Sequence, residues 1–111
     1  MEVRTEWATY NNCILMTNRY MANDGLYIEI WSPEEGPIAT LTVCLPNESK
    51  PSEDEAYIDT NNCPWAMRFI SEYGLGEETG LYGFSGYCCY PLVKFNMDKV
   101  NEYTYKESED V

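Results

Sequence analysis

The chain of 111 residues carries 19 Asp and Glu against seven Lys and Arg, for a formal net charge of −12, and it has no histidine. The length fits one domain spanning 1–111, and a hydrophobic fraction of 44% with ten Tyr and three Trp fits a folded globule, not a disordered chain. The charge argues against generic binding to nucleic acid or an anionic membrane, no apolar run reaches membrane-span length, and the polar start MEVRTEW has no secretory character, so the expectation is a cytoplasmic protein.

In chain order, the apolar run Cys13–Met16 reads as a strand preceded by turn-prone Asn11 and Asn12. Asn23-Asp24-Gly25 has the chemistry of a left-handed turn. Leu26–Trp31 then alternates Leu26, Ile28 and Ile30 against Tyr27, Glu29 and Trp31, the period of a strand with one buried face. Ser32–Gly36 reads as a hairpin loop, and Pro37–Leu45 as the return strand, with Ala39, Leu41, Val43 and Leu45 as its core face. Pro46–Glu55 is polar and holds two prolines, an exposed loop. Ala56–Asp59 reads as a short strand running straight into a helix over 64–73.

That helix is the main one in the chain. Pro64 suits its first position, and Thr60, Asn61 or Asn62 can cap its free amides. Trp65, Ala66, Phe69, Ile70 and Tyr73 recur on one face, and Arg68 and Glu72 can pair on the other. Gly74 fits the left-handed position after the end. Glu77–Gly80 then reads as a turn. Leu81–Tyr90 reads as a strand in which Gly83 and Gly86 mark a bulge or a close backbone approach, and Pro91–Phe95 as a short strand or its continuation. Residues 96–105 fit either a last short helix, with Asp98 near its start, or an edge strand, and 106–111 form an acidic tail expected to fray. The expected fold is α+β: a single antiparallel sheet of about four to six strands, one face covered by the 64–73 helix.

Little in this inventory points to catalysis. The five cysteines form no Cys-x-x-Cys pair, and adjacent Cys88 and Cys89 would point to opposite faces of a strand. No histidine is present to serve as the usual base for a nucleophile. Cys63 is either a thiolate activated at a helix start or a buried thiol. The polar run Asp59, Thr60, Asn61, Asn62 is either a ligand-binding junction or a strand end and cap. The triplet Glu53, Asp54, Glu55 is either a docking surface for a basic protein or a solvated face. The tyrosines and Trp31 form either an exposed patch for a protein partner or an aromatic face packed under the helix. No phosphate-binding loop occurs, and neither a cofactor nor a metal is expected.

Three blocks, YIEIWSPEEGPIATLTVCLP, AYIDTNNCPWAMRFISEYGLG and SGYCCYPLVKF, resemble a family from bacteria, their phages and mobile elements known as domain of unknown function 4313. The resemblance spans Leu26 to Phe95, with DTNNCPW and EYGLG its most specific parts. It brings no catalytic residues. It implies a small acidic accessory protein on mobile DNA, and such proteins often bind and block a host enzyme. The expected function is therefore non-enzymatic binding to a basic protein surface, in its narrowest form as a nucleic-acid mimic that inhibits a host defence enzyme. The alternative is a binder of small molecules or nucleotide derivatives at Asp59–Cys63.

Overall fold

A computed structural model of the chain describes residues 1–45, 48 and 51–104. The expected tail, 106–111, lies outside the described residues, as do 46, 47, 49 and 50 of the expected polar loop. The strands are β1 (Val3–Arg4), β2 (Thr9–Tyr10), β3 (Ile14–Arg19), β4 (Leu26–Ser32), β5 (Gly36–Thr40), β6 (Thr42–Val43), β7 (Glu55–Ile58), β8 (Gly76–Ser85) and β9 (Cys88–Phe95). The helices are α1 (Ala66–Glu72) and α2 (Met97–Glu102).

The protein is α+β, but its strands form several sheets and not the single one expected. Among the described residues these are a pair β1-β2, a three-stranded sheet β3-β4-β5 and a four-stranded sheet β6-β7-β9-β8, with every strand pairing antiparallel. The split occurs at Leu41. Up to Thr40 the chain pairs with β4; from Thr42 it pairs with β7. Leu41 itself holds both sheets, its amide donating to the Ile28 carbonyl at 2.9 Å and its carbonyl accepting from the Asp59 amide at 3.0 Å. One strand read from sequence thus serves two sheets, a corner that sheet twist favours. The handover also changes which side chains go inside. Leu41 and Leu45 are buried as expected, whereas Ala39 and Val43 are half-buried and Thr42, from the other set, is buried. The Thr42 hydroxyl is satisfied there, accepting from the Ile28 amide at 3.2 Å and sharing a 3.0 Å hydrogen bond with the Tyr20 hydroxyl.

The β4–β5 hairpin holds as expected. Leu26, Ile28 and Ile30 are buried, while Tyr27, Glu29 and Trp31 are half-buried on the other face. Its loop is tied by the Ser32 hydroxyl, which accepts from the amides of Glu34 and Glu35 at 3.2 Å each. α1 is shorter than the expected 64–73. Pro64 lies in a turn before it, Trp65 stands at its N-cap without a side-chain cap, and so neither Thr60, Asn61 nor Asn62 performs the expected capping. Its apolar face is as expected: Trp65, Ala66, Phe69 and Ile70 are buried in the main core with Ile58, Leu75, Val93 and Phe95. A ladder of ring contacts runs from Trp65 edge-to-face to Phe69 at 6.0 Å, on to a tilted Tyr73 at 5.3 Å and edge-to-face across to Tyr103 at 5.7 Å. Gly74 takes φ 62°, and the Leu75 amide reaches back to the Ile70 carbonyl while the Gly74 amide reaches Ser71, a Schellman ending.

The N-terminal pair was not foreseen. Val3 is fully buried in the main core, the Tyr73 hydroxyl accepts from the Glu2 amide at 2.7 Å, and Arg4 pairs with Glu72 at 2.8 Å. Arg68 donates to the Arg4 carbonyl, so the expected Arg68–Glu72 pair is replaced by two contacts to this strand. Of the two readings of the C-terminal region, the helix is present as α2, with the Asn96 side chain accepting from the Lys99 amide at 3.2 Å and Val100 buried.

Candidate functional site

The Asp59–Cys63 junction is tied into its own turn. The Asp59 carboxylate accepts from the Asn62 amide at 3.2 Å and from Asn62 Nδ2 at 2.9 Å, and the Asp59 carbonyl accepts from the Cys63 amide at 2.9 Å. Thr60 is half-buried and Asn61 exposed. Asn62 also borders a recess of about 220 Å³ with Trp7, Tyr10, Cys63 and Trp65. The Cys63 thiol is buried and donates toward the Thr40 carbonyl at 3.7 Å. Burial, assisted by the charges of Asp59 and Glu6, pushes it up to about 11, the opposite of a helix-activated thiolate. Among the described residues no group of three Cys, Asp or Glu side chains is placed to hold a metal ion.

The acidic triplet runs from a turn, Glu53 and Asp54, into the first residue of β7, Glu55, and is engaged with its neighbours. Asp54 pairs with Lys94 at 2.9 Å, and that hydrogen bond holds its carboxyl below the usual range while raising the Lys94 ammonium. The Glu55 carboxylate accepts from the Ser52 amide at 3.1 Å, and the Glu53 carbonyl accepts from Arg19 at 3.0 Å. Across the sheet Glu55 stands opposite Lys94, which in turn stands opposite Glu77. The triplet is therefore joined through Lys94 to the base of β8.

The 81–95 region departs from the sequence reading: Leu81–Tyr90, expected as one strand, is broken by a turn at Gly86 and Tyr87 into the end of β8 and the start of β9. Glu77–Gly80, expected to be a turn, belongs to β8; the irregularity lies between Glu78 and Tyr82, opposite Pro91 and Val93. Pro91 has no amide proton to offer the ladder, and the Thr79 hydroxyl bridges the gap by donating to the Leu92 carbonyl at 3.0 Å. Beyond the bulge, Gly83 is buried because it lies against Leu45 and Tyr57, where a Cβ would stand 2.6 and 2.7 Å from their side chains. Gly86 turns the hairpin. The neighbouring large apolar side chains are left in solvent: Leu81 at 64%, Tyr82 at 49%, Phe84 at 59% and Tyr87 at 108% exposure. Cys89, across from Phe84, is exposed too. The spaced glycines were the available signal: Gly80 and Gly83 leave gaps along the strand and Gly86 turns it, so the aromatic side chains between them do not form a continuous core layer.

Carboxylates border this aromatic end. Glu77 and Glu78 are exposed lower on the strand and line an open recess of about 560 Å³ with Thr79 and Lys94. The Glu48 carboxylate accepts from the Phe84 amide at 3.1 Å. Trp31, named in the aromatic-patch alternative, is half-buried and its indole N–H donates to the Glu29 carboxylate at 2.8 Å; the exposed apolar side chains of β8 and its turn are a different group.

Small antiparallel sheets packed around two short helices, with an aromatic hairpin exposed at one edge, define an α+β protein with no membrane-length apolar helix among its described residues. The chain belongs to the family described as domain of unknown function (DUF4313), whose model matches residues 14–111. No curated protein and no solved structure matches it.

Proposed function

We propose that this protein acts by binding another protein, and that the β8–β9 hairpin is the contact surface. The observation that carries this is the grouping of Leu81, Tyr82, Phe84 and Tyr87 in solvent on one hairpin, since aromatic side chains left exposed together are the usual anchors of a protein interface. The partner is basic: the chain's net charge is −12, the hairpin is bordered by Glu48, Glu77 and Glu78, and Lys94 is already paired with Asp54. In its narrower form, supported by the charge and by the chain's resemblance to a family of bacteria, phages and mobile elements, the partner is a host defence enzyme whose nucleic-acid groove is blocked. The test is capture from bacterial host lysate, repeated with Tyr82→Ser/Phe84→Ser and with Trp7→Ser, which alters an exposed aromatic of the N-terminal region. Capture of one basic protein that is lost with the first variant, kept with the second, and competed by DNA is the expected result. Capture indifferent to the hairpin variant sinks the assignment, and indifference to DNA removes the narrower form.

A second reading places a small molecule or nucleotide derivative at the recess beside Asn62. Trp7, Tyr10 and Trp65 supply stacking surface there, but about 220 Å³ lies below the roughly 300–1,000 Å³ of usual ligand pockets. A ligand collection that raises the melting temperature of the protein, but not of its Asn62→Ala variant, would support this reading.

A further inference from the structure

Resting on the protein-binding reading above, we propose that the outer half of β8, Tyr82–Ser85, takes up an extended segment of the partner as a fifth strand of the four-stranded sheet, and that this segment alternates apolar and basic residues. β8 is the last strand in the order β6-β7-β9-β8, so among the described residues one side of its backbone faces no strand. The Phe84 amide shows which groups point that way, because it donates to Glu48 and not to β9. Outward groups recur at every second residue of an antiparallel ladder, which places the Tyr82 amide on the same side. Exposed edges of this kind are templates for strand addition, and proteins guard them with charges and bulges. Here the guard is uneven. The lower half of β8 has Glu77, Glu78 and the bulge; the outer half has Tyr82 and Phe84, with neither Lys nor Pro.

The pattern of the incoming segment follows from the two faces. Tyr82 and Phe84 project from one face, and Gly83 and Ser85 belong to the other, where Gly83 meets Leu45 and Tyr57. A strand laid beside them sets alternate side chains against the aromatic rings. The intervening ones lie over the small residues, near the carboxylate of Glu48, whose amide donates to the Leu45 carbonyl at 3.0 Å. Apolar residues suit the first set and Lys or Arg the second. A peptide carbonyl takes over the Phe84 amide and frees the Glu48 carboxylate for the basic side chain. A second copy of this chain is the wrong occupant, because it brings another net charge of −12 and a second Glu48 to the same edge.

The experiment titrates the full chain at low salt with a blocked peptide of alternating Lys and Val, about six residues long to match a typical strand. Two further series carry N-methyl groups on the Lys residues or on the Val residues. Methylation of every second amide blocks one edge of an extended peptide and leaves its charge and side chains unchanged. The expected result is saturable binding by the parent peptide, weakened about tenfold or more in one methylated series and little changed in the other. Phe84→Ser, at an exposed site, is expected to weaken binding while leaving the melting temperature in place. Equal behaviour of the two series, whether both bind or both fail, overturns strand addition; if binding still depends on Phe84, the hairpin remains a protein-binding surface. Equal binding by a Glu-Val peptide, or none by Lys-Val, overturns the alternating basic segment, and the lysate capture then decides the wider reading separately. Self-association of the chain through Phe84 in ultracentrifugation identifies a second copy as the occupant and overturns the proposal.

Discussion

Gly83 shows how one residue can fix the placement of an element. With no side chain it lets the hairpin lie against Leu45 and Tyr57; a methyl group there would press on both at under 3 Å. Gly83→Ala is expected to lower stability by about 1–3 kcal/mol, the usual range for overpacking, as read from denaturant unfolding. The cysteines make a second residue-scale case. Cys89 is exposed and Cys63 is buried with a thiol pushed up to about 11. Iodoacetamide at neutral pH is expected to modify Cys89 in the folded protein and Cys63 only after unfolding, with mass spectrometry of the peptides as readout. The sign of the pH effect follows from the same shift. Because folding raises the Cys63 value from 9.0, its contribution to stability is whole below pH 9.0 and is lost as pH rises toward about 11. Thermal unfolding across that window is expected to show a falling melting temperature, with the fall reduced in Cys63→Ala.

At the level of elements, the N-terminal pair β1–β2 acts as a clasp on α1. It precedes the stretch matched by the family model, yet Val3 is among the most buried side chains of the main core. Val3→Ala is expected to cost about 1.5–3 kcal/mol in denaturant unfolding, since two fully buried methyl groups are lost and a cavity is left in their place. Arg4→Ala removes exposed ion pairs with Glu72 and Glu2 and is expected to cost less than about 1 kcal/mol. The elements that could be read from sequence were those whose periodicity is local: the alternation of β4, the apolar face of α1 and the glycine at its end. The clasp escaped because two-residue strands carry no period. The Leu41 corner escaped because nothing local distinguishes one strand from a strand divided between two partners. β8 was misread at its start for the related reason that Glu77–Gly80 has turn composition, and with Glu77, Glu78 and Gly80 all exposed that stretch lacks the alternation that identifies strands. In the candidate sites, the polar character of Asp59–Asn62 and Glu53–Glu55 was legible. Their ties to one another and to Lys94 depend on long-range register and were not.

Over the whole molecule, the excess of negative charge governs the electrostatics. A net charge of −12 on 111 residues means that folding gathers like charges, and the cross-strand Lys94 and the Arg4 contacts offset this only locally. Added NaCl is expected to raise the melting temperature between about 0.01 and 0.15 M, as the Debye length falls from about 30 to about 8 Å, and to weaken the proposed association with a basic protein over the same range. A melting temperature that fell with salt would show that the ion pairs outweigh the general repulsion.

The interior is divided between one large cluster and a small one made of Leu45, Tyr57, Tyr90 and Leu92, with Val43 and Cys88 at its border. The outer hairpin is joined to the rest of the molecule through that small cluster. Its free energy of local opening is therefore a fraction of the global value: the hairpin can detach and re-form while α1 and the main core stay closed. Native-state hydrogen exchange should show the amides of Tyr82–Tyr90 exchanging well ahead of those of Ile28, Ile30 and Ile70. The surface offered to a partner would then be a separate cooperative unit, and binding there would slow its opening without altering exchange in the core.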